Sequence, residues 1–123
     1  MYPEDFKYTK DHEWVSVLGG QGRIGITDYA QKQLGDIVYL ELPEVGRTFK
    51  QGDVVGTIES VKAVSEIFAP VSGEVVDVNK ELAEHPEAVN HDAHASWMLV
   101  VKLSNPAETE SLLTAAQYAE LAK

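Results

Sequence analysis

The sequence predicts a mainly β domain, a sandwich or flattened barrel with short helices attached at its ends. Two observations lead to this fold class. Six or seven short segments combine β-branched and alternating apolar residues and are bounded by glycine, proline or asparagine. Helical patterns are few and brief, and one of them lies at the C-terminus. With 123 residues, the chain has the length of a single domain, 1–123, that can bury a core of its own.

The first hairpin is predicted near the N-terminus. Glu13–Leu18 has the alternation of a strand, Gly19–Gly22 forms a turn, and Arg23–Ile26 returns as the second strand. Residues Gly20–Gly25 also match the G-x-G-x-x-G spacing of nucleotide-binding loops. That motif requires a helix directly after its last glycine, whereas this segment continues as strand, so the sequence indicates a hairpin.

A short helix and a strand follow this hairpin. Thr27 has the character of an N-cap for a helix over Asp28–Leu34, and Gly35 ends it. Asp36–Leu42 alternates as a strand and is ended by Pro43.

The centre of the chain, Gly52–Gly73, reads as strand on both sides of Lys62. One unbroken strand would exceed the usual length of about 3–10 residues, so the segment has to turn. The midpoint is Ser60–Ala63, which contains none of the residues that normally form tight turns. A turn that departs from the local rules is a place where function is expected, and this one contains the lysine.

The C-terminal third is predicted from shorter patterns. Glu74–Val78 and Trp97–Leu103 read as strands, with a helical turn around Lys80–Ala83 between them. Thr114 and Gln117 have the spacing of a capping box and open a terminal helix. Four aromatic side chains in or beside the predicted strands are expected in or near the core: Trp14, Tyr39, Phe68 and Trp97.

The composition excludes several classes of function. Twenty acidic against ten basic residues give a net charge of −10, which repels nucleic acids and anionic membranes and favours basic protein surfaces. The absence of cysteine excludes disulfides, thiolate nucleophiles and cysteine-ligated zinc. No apolar run has membrane-spanning length, and the first residues, MYPEDFKYTK, show neither a signal core nor a transit pattern. A cytoplasmic location is therefore expected.

No catalytic or metal motif stands out. His91 and His94 could ligate a metal if they lay on a helix, but their polar, loop-like surroundings favour an ordinary surface loop. The G-x-S-x-G pattern of serine hydrolases does not occur. Carboxylates are abundant enough to pair by chance.

The central turn has a specific resemblance. Glu59-Ser60-Val61-Lys62-Ala63, followed by Ala69-Pro70-Val71-Ser72-Gly73, resembles the attachment site of lipoyl domains. The wider chain is similar to the H proteins of the glycine cleavage system. Blocks that match this family lie at residues 12–15 (HEWV), 25–31 (GITDYAQ), 34–38 (LGDIV), 42–46 (LPEVG), 75–79 (VVDVN) and 110–113 (ESLL).

The resemblance implies the hybrid barrel-sandwich fold and a non-catalytic carrier. Lys62 would hold lipoate in amide linkage, on a hairpin formed by Glu59, Ser60, Val61 and Ala63. The lysine and its lipoyl chain would form an arm of about 14 Å. The expected partners are a pyridoxal-phosphate glycine decarboxylase, a folate-dependent aminomethyltransferase, dihydrolipoamide dehydrogenase and the enzyme that attaches lipoate. By position, Glu13 and Glu66 would face the cleft that receives the loaded arm.

Two alternatives share the same lysine. The chain could relay lipoyl groups to other complexes, or it could be the lipoyl or biotinyl domain of another multienzyme system. Biotin carriers have methionine beside the lysine, whereas Val61 and Ala63 occupy those places here. One block, Asn90–Trp97, departs from the family pattern N-x-x-P-Y-x-x-G-W, and this loop could either only connect strands or contact a partner.

Overall fold

The computed structural model describes residues 2–122 and contains two antiparallel sheets with short helices around them. The strands are β1 (Lys7–Tyr8), β2 (Glu13–Leu18), β3 (Gln21–Ile26), β4 (Ile37–Glu41), β5 (Thr48–Phe49), β6 (Val54–Ser60), β7 (Val64–Phe68), β8 (Gly73–Val78) and β9 (Leu99–Leu103). The helices are α1 (Asp28–Leu34), α2 (Lys80–Glu84), α3 (Ala88–His91) and α4 (Ala115–Leu121), with a 3₁₀ helix at Pro106–Ser111.

One sheet has the strand order β1-β2-β3-β9-β8-β5, and the other has the order β4-β6-β7. Their inner faces enclose the main core, to which Val15 and Ile24 contribute from the first sheet and Leu40 and Ile58 from the second. This arrangement confirms the predicted mainly β sandwich with appended helices. No helix within residues 2–122 is long and apolar enough to cross a membrane.

A second, aromatic core lies on the other face of β2. Tyr8, Trp14 and Tyr118 are buried there, so β2 has three consecutive buried residues rather than an alternating pattern. Gly25, which pairs with Trp14, leaves the space for the indole, since a Cβ at this position would lie 2.6 Å from the ring. The second core joins β1 and β2 to the C-terminal helix α4.

The caps explain where the helices begin and end. The Thr27 side chain accepts a hydrogen bond from the Ala30 N–H at the start of α1, and Gly35 ends this helix with φ of +81°. Thr114 and Gln117 form the predicted capping box at the start of α4. Both helices therefore lie where the sequence predicts them.

Several boundaries and burial predictions were wrong. The first turn is shorter than predicted because β3 already begins at Gln21, and the last strand begins at Leu99 rather than Trp97. Tyr39 is 49% exposed, because a bulge between Ile37 and Tyr39 changes which residues of β4 face the core. Trp97 is partly buried against the aromatic core, in agreement with its expected place in or near the core. The short strands β1 and β5 and the helix α3 were not predicted.

Candidate functional site

The predicted turn lies between β6 and β7, and Ser60 closes it. The Ser60 N–H donates to the Ala63 carbonyl at 2.8 Å, and the Ser60 Oγ accepts from the N–H groups of Lys62 and Ala63 at 3.3 and 3.1 Å. Val61 and Lys62 are not among the positive-φ residues, so this hairpin does not use the usual mirror-image turns that favour glycine and asparagine. The serine side chain replaces the missing turn residues.

The hairpin tip is braced against the junction between α1 and β4. The Val61 N–H donates to the Asp36 carbonyl at 3.0 Å. The Lys62 side chain lies along Gly35, where a Cβ would be 3.3 Å from Lys62 Cε. A side chain at position 35 would therefore crowd the lysine, as well as straining the positive φ.

The Asn90 side chain stabilises the junction between α1 and β4. Its side-chain oxygen accepts from the Ile37 N–H at 2.9 Å, and its amide nitrogen donates to the Gly35 carbonyl and to Gln31 Oε1, each at 2.9 Å. One side chain thus fixes the end of α1 and the start of β4. The sequence did not indicate this role, because Asn90 lies 53 residues from Ile37 in the chain.

Lys62 itself is available for chemistry. Its side chain is exposed, and it makes no ion pair within residues 2–122, where Lys32 with Asp28 and His85 with Glu87 form the salt bridges. An exposed amine on a braced turn fits covalent acylation, since a reagent can reach the nitrogen without displacing a partner.

Glu13 lies in a different environment. It is 2% exposed and borders a cleft of about 290 Å³ that Phe68, Gln51 and Leu113 also line. The Thr9 hydroxyl donates to Glu13 Oε1 at 2.6 Å, and the Phe68 N–H donates to Oε2 at 3.3 Å. Burial raises the pKa of this carboxyl to about 7, although both hydrogen bonds act to lower it.

The other predicted acidic residues lie on the outside of the three-stranded sheet. Glu66 is exposed and pairs across strands with Thr57, while Glu59 is partly buried and pairs with Val64. Neither Glu66 nor Lys62 lines the cleft beside Glu13 in the described part of the chain. The structure thus brings Glu59 close to the lysine turn and places Glu13 at the opposite end of β7, near Phe68.

The loop that departs from the family pattern points several side chains inward. Ala93 is buried, and its carbonyl accepts from the Trp14 indole N–H at 3.2 Å. His94 Nε2 accepts from the Asp28 N–H at 3.2 Å, and Ser96 Oγ donates to the Asp92 carbonyl at 2.7 Å. The expectation of an ordinary surface loop is wrong for His94, because it packs against α1. Burial lowers the His94 pKa from its usual value.

The histidines do not form a metal site. Among residues 2–122, no group of three or more potential ligand residues is placed to hold a metal ion. His91 lies exposed at the end of α3, while His94 faces the helix N-terminus described above.

A hydrogen-bonded network fixes the segment that precedes Glu13. His12 adopts a positive φ of 69°, and its Nδ1 lies 2.7 Å from the Tyr118 hydroxyl. That hydroxyl lies 2.7 Å from the hydroxyl of Thr27, the N-cap of α1. The network joins α1, α4 and β2, so the HEWV block has structural partners that the sequence alone did not identify.

Two antiparallel sheets around the main core, with an exposed lysine at a braced hairpin turn, are the arrangement of a domain of the lipoyl- and biotinyl-carrier class. The family model described as glycine cleavage H-protein matches residues 6–123. The chain belongs to this family.

Relatives and a solved structure agree with this assignment. The chain is 60% identical to the glycine cleavage system H protein of Koribacter versatilis (strain Ellin345), over 98% of this chain and 94% of that protein. It is 54% identical to the probable glycine cleavage system H protein of Pyrococcus furiosus, over 98% and 91% of the two chains. The crystal structure of a glycine cleavage system H protein from Mycobacterium marinum superposes with a TM-score of 0.88 at 40% identity and covers 97% of both chains.

Proposed function

We propose that this chain is the lipoyl-carrier protein of a glycine cleavage system, with lipoate in amide linkage to Lys62. Family membership over nearly the whole chain supports the carrier role in glycine cleavage. The observation that carries the site assignment is the exposed lysine on a turn braced by Ser60 and Asp36.

In the proposed carrier, the lipoyl group and the residues around the lysine have different roles. Lipoate supplies a dithiolane that accepts the aminomethyl group from glycine. Ser60 and Asp36 hold the backbone of the tip through hydrogen bonds, so we expect the lysine side chain to be the part of the carrier that moves. Membership of a carrier-protein family supports a non-catalytic role.

Glu13 and Glu66 are the carboxylates proposed to receive the loaded arm. Glu66 lies four residues along β7 from Lys62, or about 13 Å of extended strand, and Phe68 lies six residues away, or about 20 Å. An arm of about 14 Å therefore spans the strand as far as Glu66. On this fully extended count Glu13, which accepts from the Phe68 N–H, lies beyond the arm. Residues 61–63 form the turn, however, and only Val64–Phe68, about 13 Å, is strand, so the carried ammonium can approach Glu13.

The proposed partners follow from the same system. A glycine decarboxylase, an aminomethyltransferase and dihydrolipoamide dehydrogenase would act in turn on the group attached to Lys62. The net charge of −10 supports encounters with basic patches on these enzymes.

Reconstitution tests the proposal against lipoate relay. Lipoylated wild type should support exchange of CO2 into glycine with a glycine decarboxylase. The unmodified protein should not, and neither should Lys62→Arg that has been taken through the same lipoylation reaction and purification. A relay protein would instead transfer its lipoyl group to a separate lipoyl domain and give no exchange. Exchange that persists in Lys62→Arg would contradict the site.

A further inference from the structure

The outer face of the three-stranded sheet has an unusual arrangement of side chains. Tyr39, Glu59 and Val64 are directly opposite one another on β4, β6 and β7, so they form one row on the solvent face. The next row on the same face is Glu41, Thr57 and Glu66. Cross-strand neighbours in such rows lie about 5 Å apart.

Apolar side chains are concentrated at the end of this face that lies nearest the lysine. Within residues 2–122, eight large hydrophobic side chains are exposed, and four of them belong to this region. We name these four the tip patch: Val38, Tyr39, Val61 and Val64, which are 49–69% exposed. Single exposed apolar residues are ordinary, but four of them beside the candidate lysine indicate an interaction surface.

The bulge in β4 creates part of this patch. Ile37 and Leu40 are three residues apart in β4, and both face the core. A regular strand would place two such residues on opposite faces. The extra residue of the bulge exposes both Val38 and Tyr39 instead of only one of them. Bulges cost ladder hydrogen bonds and are common where a side chain has to be redirected near a site.

Carboxylates lie within the patch and along one side of it. Glu59 lies on the central strand between Tyr39 and Val64, while Glu41 and Glu66 flank Thr57 in the next row and form a charged rim there. None of the three makes an ion pair in the part of the chain that the structure describes. The complementary surface would combine apolar side chains with basic groups opposite Glu59 and the rim.

We propose that the tip patch is the docking surface for the enzyme that attaches lipoate to Lys62. This inference depends on the proposed function. In the acylation, the lysine nitrogen attacks the carbonyl carbon of lipoyl adenylate, the mixed anhydride that the enzyme makes from lipoate and ATP. The amide C–N bond forms, the acyl C–O bond breaks, AMP leaves, and the nitrogen loses a proton.

The short reach of the unmodified lysine favours the lipoate-attaching enzyme, rather than the enzymes that act on the lipoylated protein, as the partner that binds this patch. Five bonds separate Lys62 Cα from its nitrogen, so the amine extends only about 6 Å from the backbone. The Tyr39–Glu59–Val64 row begins two residues from Lys62, or about 7 Å along the strand. An enzyme that reaches the bare amine therefore has to cover this row, whereas enzymes that act on the longer acylated arm can remain further away.

The test is the steady-state kinetics of a lipoate ligase, supplied with ATP and lipoate, on the unmodified protein. The double variant Tyr39→Ser with Val64→Ser should raise KM about tenfold and leave kcat nearly unchanged. Leu18→Ser is the matched control, since Leu18 is 87% exposed on the other sheet and should leave both constants unchanged. Thermal melting of each variant shows whether the fold is intact.

A charge variant tests the rim independently. Glu41→Lys should raise KM several-fold at low salt, and the effect should shrink at high salt because exposed charges are screened. Glu84→Lys, at the exposed end of α2, is the matched control.

The outcomes distinguish a failure of the proposed function from a failure of the proposed docking surface. Wild type that accepts no lipoyl group would overturn the proposed function itself. Normal lipoylation of the folded double variant would overturn only the docking surface. If lipoylation is normal but glycine–CO2 exchange falls in the lipoylated double variant, the face serves the decarboxylase. Self-association of wild type that the double variant abolishes would assign the face to a second copy of the chain.

Discussion

Ser60 shows how one side chain replaces the residues that a tight turn normally requires. Its hydroxyl accepts two N–H groups that would otherwise lack partners at the tip. The sequence predicted the position of the turn from the two flanking strands, but not its mechanism. The reason is that serine is common in strands and loops alike, so its presence carried little information.

Ser60→Ala should loosen the tip. We expect a loss of about 1 kcal/mol in the free energy of unfolding and a several-fold lower kcat/KM for lipoylation, because two backbone donors lose their acceptor. Ser65→Ala is the matched control, since Ser65 is exposed on the same hairpin and makes none of these bonds. Ser60→Thr, which keeps the hydroxyl, should restore most of the activity. An unchanged rate for Ser60→Ala would show that the strands alone fix the turn.

Glu13 should make the stability of the protein depend on pH. Its folded pKa is about 7, against an ordinary value of 4.5, so the folded state binds the proton more tightly than the unfolded state. Wild type should therefore lose stability relative to Glu13→Gln as pH rises from about 5 to about 8. The difference between their free energies of unfolding should fall by at most roughly 3 kcal/mol. Urea denaturation at several pH values measures this difference. A difference that does not vary with pH would contradict the raised pKa.

The same carboxyl should protect the carried group more strongly above its pKa. At about pH 8 the ionised Glu13 can form a charge-assisted hydrogen bond with an ammonium, and Glu13→Gln should lose ammonia from the loaded protein about tenfold faster. At about pH 6 the ratio should shrink, because protonated Glu13 resembles glutamine. Glu74→Gln, exposed on β8, is the control. Equal loss rates at both pH values would remove Glu13 from the arm's path.

Among the elements, the junction of α1 and β4 is the support for the lysine hairpin. Asn90 fixes this junction, and the junction accepts the Val61 N–H. The loop that begins at Asn90 is therefore part of the fold, which favours a structural role over partner contact for its inward side chains. Its outward residues, His91 and Asp92, are exposed.

Asn90→Ala should transmit a local defect to the hairpin tip. Loss of three hydrogen bonds should lower the free energy of unfolding by about 1–3 kcal/mol and speed amide hydrogen exchange at Val61. His91→Ala, one residue further along and exposed, should change neither quantity. If Asn90→Ala is destabilised but amide hydrogen exchange at Val61 is unchanged, the loop does not support the hairpin tip.

An element could be predicted from the sequence when the residues that form it are close together in the chain. The hairpin of β2 and β3, the helix α1 and the capping box of α4 depend on neighbouring residues, and the sequence predicted all of them. The strands β1 and β5 have only two residues each, too few for a pattern. Tyr39 was expected in the core because alternation cannot reveal a bulge, which is defined by pairing with β6.

At the scale of the molecule, two cores share the strand β2. The sequence predicted a sandwich or flattened barrel with a core of its own, whereas the aromatic core on the other face of β2 depends on Tyr118 packing back onto Tyr8 and Trp14. Neither that contact nor the pairing of β3 with β9 is local in sequence, so periodicity could not reveal them. The resemblance to the H-protein family supplied the fold that the local patterns left open.

The central claim is that Lys62 is the single residue modified by lipoate. Intact-mass analysis after incubation with a lipoate ligase, followed by peptide mapping, tests it most directly. Wild type should gain one lipoyl group located on Lys62, and the other exposed lysines, such as Lys32 and Lys102, should stay unmodified. Lys62→Arg should gain none. A lipoyl group found on Lys62→Arg, or mapped to any other lysine of wild type, would contradict the account.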